Sequence, residues 1–208
     1  MIISNTKKFV FVHIPKTGGT SIKKVLGKHA TVGVYQHNPP PGVAKQANPR
    51  LWKHAPARDL RQHMGYASWA EMFSFGIVRN PFDWMVSAYF YIRKDTHDPR
   101  HQIANKLGFP EFVEWFEKSN PYRHPIRNGQ WWYLSDRAGN QIVSKYYKLE
   151  EIGSAWKSIS VKVQVNSFLP HTNKTSHRDY RSYYTPRSVS LVAGMFSDDF
   201  KRFGYTWT

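Results

Sequence analysis

The sequence predicts an α/β protein: a three-layer sandwich with a mainly parallel central sheet, folded as a single domain over residues 1–208. Two buried strands, at 7–14 and 73–79, are each followed by a tight turn and then by a segment with helical spacing. The 208 residues are 40% hydrophobic, which is enough for one compact domain with its own core. This alternation of strands and helices is typical of an α/β fold.

The first strand–turn–helix unit lies at the start of the chain. The run KKFVFVHI is β-branched and aromatic and ends at Pro15, as a buried strand would. A Gly pair follows, and the next hydrophobic residues stand at helical spacing: Ile22, Val25 and Leu26. Residues 33–50 are rich in Pro, Gly and Asn and are predicted to form a loop.

A second strand–turn–helix unit follows two short helical segments. The stretch ARDLRQHM is predicted to be a helix that ends at Gly65, and SWAEMF is predicted to be a further helical piece. The strand FSFGIVR stops at Asn80-Pro81. Helical spacing resumes from Asp83, so the order of strand, turn and helix is repeated.

The rest of the chain adds helices and a predicted strand pair. Residues 109–118 and 150–159 have amphipathic helical spacing. Residues 131–149 are predicted to form two strands around the turn Asp-Arg-Ala-Gly-Asn. A long polar loop is expected at 170–185, and the last helix is predicted to begin at Thr185-Pro186, an N-cap followed by Pro.

The charge of the chain points to anionic partners. Thirty Lys and Arg residues against fourteen Asp and Glu leave a net charge of +16. A nucleic acid, an anionic membrane, an acidic polysaccharide or a multiply phosphorylated cofactor would each suit this excess, and solubility alone would also account for it.

The composition also excludes several classes of site. The chain has no Cys, which excludes a disulfide framework, a zinc–thiolate site and a thiol nucleophile. We see no signal peptide and no apolar stretch near the ~20 residues of a membrane span, so we expect a cytoplasmic protein. No metal requirement is predicted.

The first chemical motif is the segment HIPKTGGTS, residues 13–21. Its glycines let the backbone turn sharply and approach a ligand, and the following helix start offers N–H groups to an anion. Lys16 adds a full charge, and hydroxyl donors surround it: Thr17, Thr20 and Ser21. The alternative is a plain strand–turn–helix link. The loop is P-loop-like in its physics, but Lys16 precedes the glycines, which disfavours a Walker A site for ATP or GTP.

The second motif is IVRNPFDWMVSAY, residues 77–89. Arg79 stands at the carboxyl end of the second strand, where open α/β sheets bind their ligands. Ser87 lies about two turns into the following helix, so the two side chains could bind one phosphate together. The alternative is an Arg79 paired with Asp83 beside a capping Ser.

Together the two motifs resemble a known family. HIPKTGGTSI and VRNPFDWMVSAYFY are similar to the PAPS-dependent sulfotransferases, where PAPS is 3′-phosphoadenosine 5′-phosphosulfate. The resemblance is to the carbohydrate branch related to the heparan-sulfate 2-O- and chondroitin enzymes (sulfotransferase family 2), in its short bacterial-type form. Further agreement comes from WKHAPARDLRQHMG and from NKTSHRDYRSYYTP with FGYTW, so the resemblance runs from about residue 9 to the end.

The resemblance implies a sulfotransferase of nucleotide-kinase-like fold, with PAPS as the sulfuryl donor and no metal. It places the 5′-phosphosulfate on the first motif: Lys16, Thr17, Gly18, Gly19, Thr20 and Ser21. It places the 3′-phosphate on Arg79 and Ser87. The basic segment around His177, Arg178 and Tyr180 resembles the part that closes over the adenosine.

The acceptor hydroxyl needs a general base, and we assign His54. An imidazole near its ordinary pKa accepts a proton at neutral pH, and the resembling family has a His between its two phosphate motifs in this role. His37 and His13 are the rival candidates. Lys16 is placed to stabilise the oxygen of the departing nucleotide.

The acceptor is predicted to be a carbohydrate or another hydroxyl compound, possibly anionic. Trp131 or Trp132 could stack on a sugar ring, but on a strand only one of the two would face outward. Three alternatives stay open: a basic nucleic-acid-binding protein, an inactive family member that still binds nucleotide, and a small-molecule kinase. We expect no nucleic-acid partner, because no nucleic-acid motif is visible.

Overall fold

The computed structural model describes residues 1–33, 53–119, 126–170 and 177–207. The strands, numbered in chain order, are β1 Ile2–Ser4, β2 Phe9–Val12, β3 Val32–Gly33, β4 Phe73–Val78 and β5 Lys145–Lys148. The helices are α1 Gly19–Leu26, α2 Ala57–Met64, α3 Tyr66–Ala70, α4 Pro81–Lys94, α5 His101–Lys106, α6 Phe109–Ser119, α7 Trp131–Leu134, α8 Ile152–Lys162, α9 Pro186–Met195 and α10 Ser197–Phe203.

The chain divides into two compact units. Unit 1 comprises Met1–Val78 and Gln130–Lys174, and unit 2 comprises Arg79–Gly129 and Thr175–Thr208. Unit 1 contains the whole sheet, and unit 2 is helical in its described part. This division does not test whether residues 1–208 form a single domain, so that expectation stays a prediction.

The sheet of unit 1 has the strand order β3-β1-β2-β4-β5. β2, β4 and β5 are parallel neighbours, while β1 runs antiparallel to both β2 and β3. All of the strands except β1 therefore point the same way, which confirms the predicted mainly parallel sheet. β1 itself was not predicted, because three apolar residues before Asn5 are too short a run to show a period.

Helices cover both faces of this sheet. Phe9 and Phe11 of β2 and Phe75 of β4 share one hydrophobic cluster with residues of α1 and α8. Gly76 points to the opposite face, where a Cβ would lie 2.6 Å from Leu134 Cδ2 of α7. Unit 1 is thus layered as helix, sheet and helix, in agreement with the predicted α/β sandwich.

One predicted strand is wrong. Residues 131–134 form the short helix α7, although the run Trp-Trp-Tyr-Leu has high β-propensity. Trp131, Tyr133 and Leu134 are all buried there, so tertiary packing overrides the local preference. The predicted turn is present, since Asp136 accepts backbone hydrogen bonds from Ala138 at 3.0 Å and Asn140 at 2.8 Å. The second predicted strand is β5.

Unit 2 is built on aromatic packing between helices. Its largest fully buried side chains belong to α4, α6 and the α9–α10 junction: Trp84, Phe82, Phe112, Phe116 and Phe196. α4 begins two residues earlier than the predicted start at Asp83, with Asn80 as N-cap and Pro81 in the first turn. The last predicted helix is divided at Phe196 into α9 and α10.

In the described part of the chain, no helix combines the length and the apolar composition that crossing a bilayer requires.

Candidate active site

The loop between β2 and α1 contains two left-handed residues. Lys16 has φ 63° and Gly18 has φ 78°, with Thr17 between them. A left-handed Lys costs about 1–2 kcal/mol, and strain of this kind collects at ligand sites. Thr17 is fully buried, and its hydroxyl donates to the carbonyl of Ile14 at 2.9 Å, which holds the loop in this conformation.

Both glycines of the loop are required by close contacts. A Cβ at Gly18 would lie 2.8 Å from Leu149 Cδ1, and a Cβ at Gly19 would lie 1.9 Å from His13 Nε2. The second contact would be a severe clash with a ring that is itself buried. The sequence predicts a close approach of this backbone to a ligand; what the structure shows beside Gly19 is the ring of His13.

The start of α1 has the electrostatics of an anion site. Its N-cap is Gly18, and among the described residues no side chain caps it. The first turn is without an acidic residue, while Lys23 and Lys24 lie in the last turn. The helix therefore presents N–H groups and the positive end of its dipole next to Lys16, Thr20 and Ser21. Thr20 is exposed, whereas Ser21 is buried.

His54 lies three residues before α2, and its ring is fixed by a backbone contact. Its Nδ1 is 2.7 Å from the carbonyl oxygen of His13. A carbonyl can only accept, so Nδ1 carries the hydrogen and Nε2 of the neutral ring carries the lone pair. Burial lowers the pKa of His54 to about 3; its hydrogen bond to His13 opposes this shift and the charge of Lys53 adds to it. The side chain is neutral at neutral pH.

His13 packs directly beside His54. The two ring centroids are 4.4 Å apart, and the His13 ring also stacks on Phe11 at 5.6 Å. His13 is 4% exposed, and burial lowers its pKa well below the usual value. His37, the other rival base, lies outside the described residues.

In unit 2, Arg79 belongs to a cluster of charged side chains. It is 8% exposed, and its Nε donates to Asp83 Oδ2 at 2.7 Å. Its Nη2 lies 3.4 Å from Nε2 of His177. The pairing with Asp83, weighed above as the alternative to phosphate binding, is therefore present. Ser87 is buried in α4, at 1% exposure.

The segment predicted to close over adenosine lies near the start of α4. Asn80 Nδ2 donates to the hydroxyl of Tyr180 at 3.4 Å, and the Tyr180 ring is parallel to that of Phe82 at 6.4 Å. Arg178 is exposed, and its guanidinium lies 5.7 Å from the ring of Tyr183. Within unit 2, Arg79 and Tyr180 therefore both lie at the start of α4.

Comparison with known proteins decides the family. A family model described as "Sulfotransferase family" matches residues 1–206. The chain belongs to the sulfotransferase family. A search of the curated proteins finds no match. A crystal structure of mouse sulfotransferase SULT7A1 complexed with PAP is 14% identical, covers 96% of this chain and 87% of that chain, and has a TM-score of 0.57, which shows the shared fold.

In the sulfotransferase, Arg58 of α2 and Trp132 of α7 are in direct contact. Trp132 is half-buried, with the guanidinium of Arg58 3.9 Å from its ring centroid, and Arg58 Nη1 donates to the Trp132 carbonyl at 3.0 Å. Trp131 is buried, and its indole N–H donates to Gly139. Trp132 is thus the more exposed of the pair, and the two indoles differ in burial on helix α7 rather than on the predicted strand.

Sequence reasoning missed two contacts in these sites. One is the His13 carbonyl on His54, and the other is His177 beside Arg79, 98 residues away along the chain. Spacing between motifs carries no sign of either contact. Across the described parts of the chain, no group of three or more His, Asp or Glu side chains could hold a metal ion.

Proposed function

We propose that this sulfotransferase moves the sulfuryl group of PAPS to a hydroxyl of a carbohydrate acceptor, with His54 as general base. The observation that carries the proposal is the strained β2–α1 loop, in which Lys16 and two tightly packed glycines lead directly into a helix start that no side chain among the described residues caps. The fold shared with a PAP-complexed sulfotransferase supports the choice of donor.

The donor is assigned to two groups of residues. We propose that the 5′-phosphosulfate binds the β2–α1 loop through Lys16, Thr17, Gly18, Gly19, Thr20 and Ser21. We propose that the 3′-phosphate binds Arg79 and Ser87, with Arg178 and Tyr180 near the adenosine. An anion fits the loop because its hydrogen-bond donors and its Lys are not offset by an acidic residue in the first turn of α1.

PAPS supplies the activated sulfuryl group, and the chain supplies positioning and charge. As the acceptor oxygen bonds to sulfur, Nε2 of His54 takes the hydroxyl proton. The sulfur–oxygen bond to the nucleotide breaks, and the ammonium of Lys16 and the N–H groups of α1 stabilise the negative charge on the departing oxygen. His13 holds the base in the required tautomer, because its carbonyl keeps the hydrogen on Nδ1.

The low pKa of His54 is compatible with this role. With a pKa of about 3, the ring is neutral and able to accept a proton at pH 7. A bound donor brings several negative charges near the ring, and these stabilise the imidazolium form as it develops. The base therefore becomes stronger in the complex in which it is used.

The test of the donor is thermal unfolding with 3′,5′-ADP, with 5′-ADP and without ligand. At ~100 times its dissociation constant a ligand stabilises by about 2.7 kcal/mol, which is a rise of several degrees for a chain of this size. We expect a rise with 3′,5′-ADP and little with 5′-ADP. Equal rises of the unfolding temperature with the two nucleotides would point to a kinase. No rise with either nucleotide would favour a nucleic-acid-binding protein instead.

The test of catalysis is His54→Ala. The variant should bind 3′,5′-ADP as the wild type does while sulfuryl transfer from PAPS falls by about 10²–10⁴-fold. If His54→Ala still transfers the sulfuryl group at the wild-type rate, another residue is the general base. Binding without transfer in the wild type, over a panel of sugar acceptors, would favour the inactive family member. The cytoplasmic location stays a prediction.

A further inference from the structure

Three side chains of unit 2 form one compact charged cluster: Arg79, Asp83 and His177. Arg79 Nε and Asp83 Oδ2 are 2.7 Å apart, Arg79 Nη2 and His177 Nε2 are 3.4 Å apart, and His177 Nε2 and Asp83 Oδ1 are 3.6 Å apart. We call this set the Arg79 cluster. Its Arg and Asp belong to the second motif, whereas its His comes from the C-terminal segment.

The ring of His177 is held in a fixed orientation. Its Nδ1 lies 2.8 Å from the carbonyl oxygen of Arg178, so Nδ1 carries a hydrogen and donates it. The ring stacks on Phe90 with an interplanar angle of 10° and meets Tyr183 edge-on. The side chain is 9% exposed. These contacts leave Nε2 as the atom that faces Arg79 and Asp83.

The contacts of Nε2 depend on whether it carries a proton. In the neutral ring its lone pair can accept from Arg79 Nη2, and it has nothing to donate to Asp83. In the protonated ring Nε2–H donates to Asp83 Oδ1 and can no longer accept from Arg79. One proton at Nε2 therefore releases Nη2 of Arg79 from the imidazole and strengthens the hold on Asp83.

The charge of the cluster gives a reason for that proton to bind. Arg79 and Asp83 together carry no net charge, while a phosphate monoester carries about −1.5 to −2 at pH 7. A positive charge gained by the cluster offsets part of the charge of a 3′-phosphate brought to Arg79. Among the described residues, the ring of Tyr183 meets the imidazole edge-on, and the exposed guanidinium of Arg178 lies over the Tyr183 ring.

We propose that His177 takes up one proton when a 3′-phosphate binds Arg79, and that it thereby positions Arg79 for that phosphate. The proposal rests on the proposed role of Arg79. It makes nucleotide affinity proton-linked: for one coupled proton, the affinity for 3′,5′-ADP rises by up to tenfold for each pH unit that the pH is lowered.

The test is titration calorimetry of 3′,5′-ADP between pH 6 and 8, in buffers of different ionisation enthalpy, on wild type and His177→Gln. The Gln amide can still accept from Arg79 but does not titrate. The phosphates of the ligand titrate equally with both proteins, so the difference between the two profiles belongs to His177. We expect the wild type to take up close to one proton more than the variant.

A second measurement guards against a variant that folds poorly. Nitrogen-15 NMR of histidine-labelled wild type, at pH 7 with and without 3′,5′-ADP, reports the protonation of each imidazole, and His177→Asn assigns the resonance. A His177 ring that becomes protonated on binding supports the proposal. Binding with no change at His177, or equal proton uptake by wild type and His177→Gln, overturns it. Failure of the wild type to bind 3′,5′-ADP overturns the proposed function instead.

Discussion

At the scale of single residues, His13 and His54 share one property: both imidazoles are buried in the neutral form. Both pKa values are lowered by burial, that of His54 to about 3, while an unfolded His titrates near 6.5. Below pH 6.5 the unfolded chain therefore binds more protons than the native chain. By linkage, stability must fall as the pH is lowered through the window from about 6.5 to about 3.

The first prediction concerns this pH dependence. Each of the two histidines lowers the free energy of unfolding by up to about 1.4 kcal/mol per pH unit below pH 6.5, and His54→Gln should remove its share. Urea unfolding at pH 7, 6 and 5 measures it. His97→Gln is the matched control, because the His97 side chain is 97% exposed. Equal slopes for wild type and His54→Gln would contradict the buried neutral His54.

The second prediction concerns Gly19. In Gly19→Ala the new Cβ would clash with the His13 ring, which must move and carry the carbonyl that holds His54 with it. We expect a loss of about 1–3 kcal/mol of stability and at least a tenfold loss of kcat. Gly153→Ala is the control, since nothing lies within 4 Å of a Cβ there. If Gly19→Ala loses stability but keeps kcat, His13 has no part in positioning the base.

What could be predicted for these residues follows from how local each cause is. The glycine pair stands in one short segment, so the sharp turn that it allows is visible in the sequence, whereas the left-handed φ of Lys16 is not. The two neighbours of Arg79 differ in this respect. Asp83 is one helical turn away and could be predicted, whereas His177 is 98 residues away and could not. A contact of that kind depends on the fold of unit 2 as a whole.

At the scale of elements, the start of α4 is both a helix cap and a part of the proposed nucleotide site. Asn80 Oδ1 accepts from the backbone N–H of Phe82 at 3.0 Å, and its amide donates to Tyr180. The start of α9 offers a comparison, because Thr185 and Ser188 form a capping box there.

The third prediction separates the two roles. Asn80→Ala and Thr185→Ala should each cost about 1 kcal/mol, or roughly 2–4 °C in Tm, because each removes an N-cap. Only Asn80→Ala should also weaken the binding of 3′,5′-ADP, since it alone removes a contact to Tyr180. Melting curves and titration calorimetry measure the two effects. Equal nucleotide affinity in both variants would leave Asn80 with a capping role alone.

Helices and strands were predictable where the hydrophobic pattern extends over many residues or where a clear capping or breaking residue marks the end. α4, α6 and α8 have both hydrophobic spacing and clear limits, and β2 and β4 are dense apolar runs ended by Pro. β1 was missed and α7 was predicted as a strand for the same reason. A segment of three or four residues is too short to show a hydrophobic period, so only the surrounding packing decides its conformation.

At the scale of the whole molecule, the net charge of +16 attracts an anionic donor and so favours its encounter with the protein. It does not specify the fold, and it gave no indication of the two compact units, which depend on which helices pack together. The sulfotransferase family could be inferred because two long motifs stand in the right order, whereas the contact between Arg58 and Trp132 could not, because these residues meet only in the folded chain.

The fourth prediction follows from the charge. The value of kcat/KM for PAPS should fall severalfold between 0.05 and 0.3 M NaCl, because screening shortens the reach of the positive field from about 14 Å to about 6 Å. The value of kcat should change less, since the bound donor is partly shielded from salt. Initial rates at several salt concentrations, with sucrose as a control for viscosity, measure both. A constant kcat/KM would show that the net charge does not steer the donor.

The division of the chain into units also sets an order of events during protein synthesis. Unit 1 needs Gln130–Lys174 to complete its sheet, yet all of Arg79–Gly129 leaves the ribosome first. Until β5 is made, the edge of β4 that β5 covers has no strand to pair with. An open edge is a template for pairing with other chains. The nascent chain is therefore most exposed to aggregation while the first helices of unit 2 are being made.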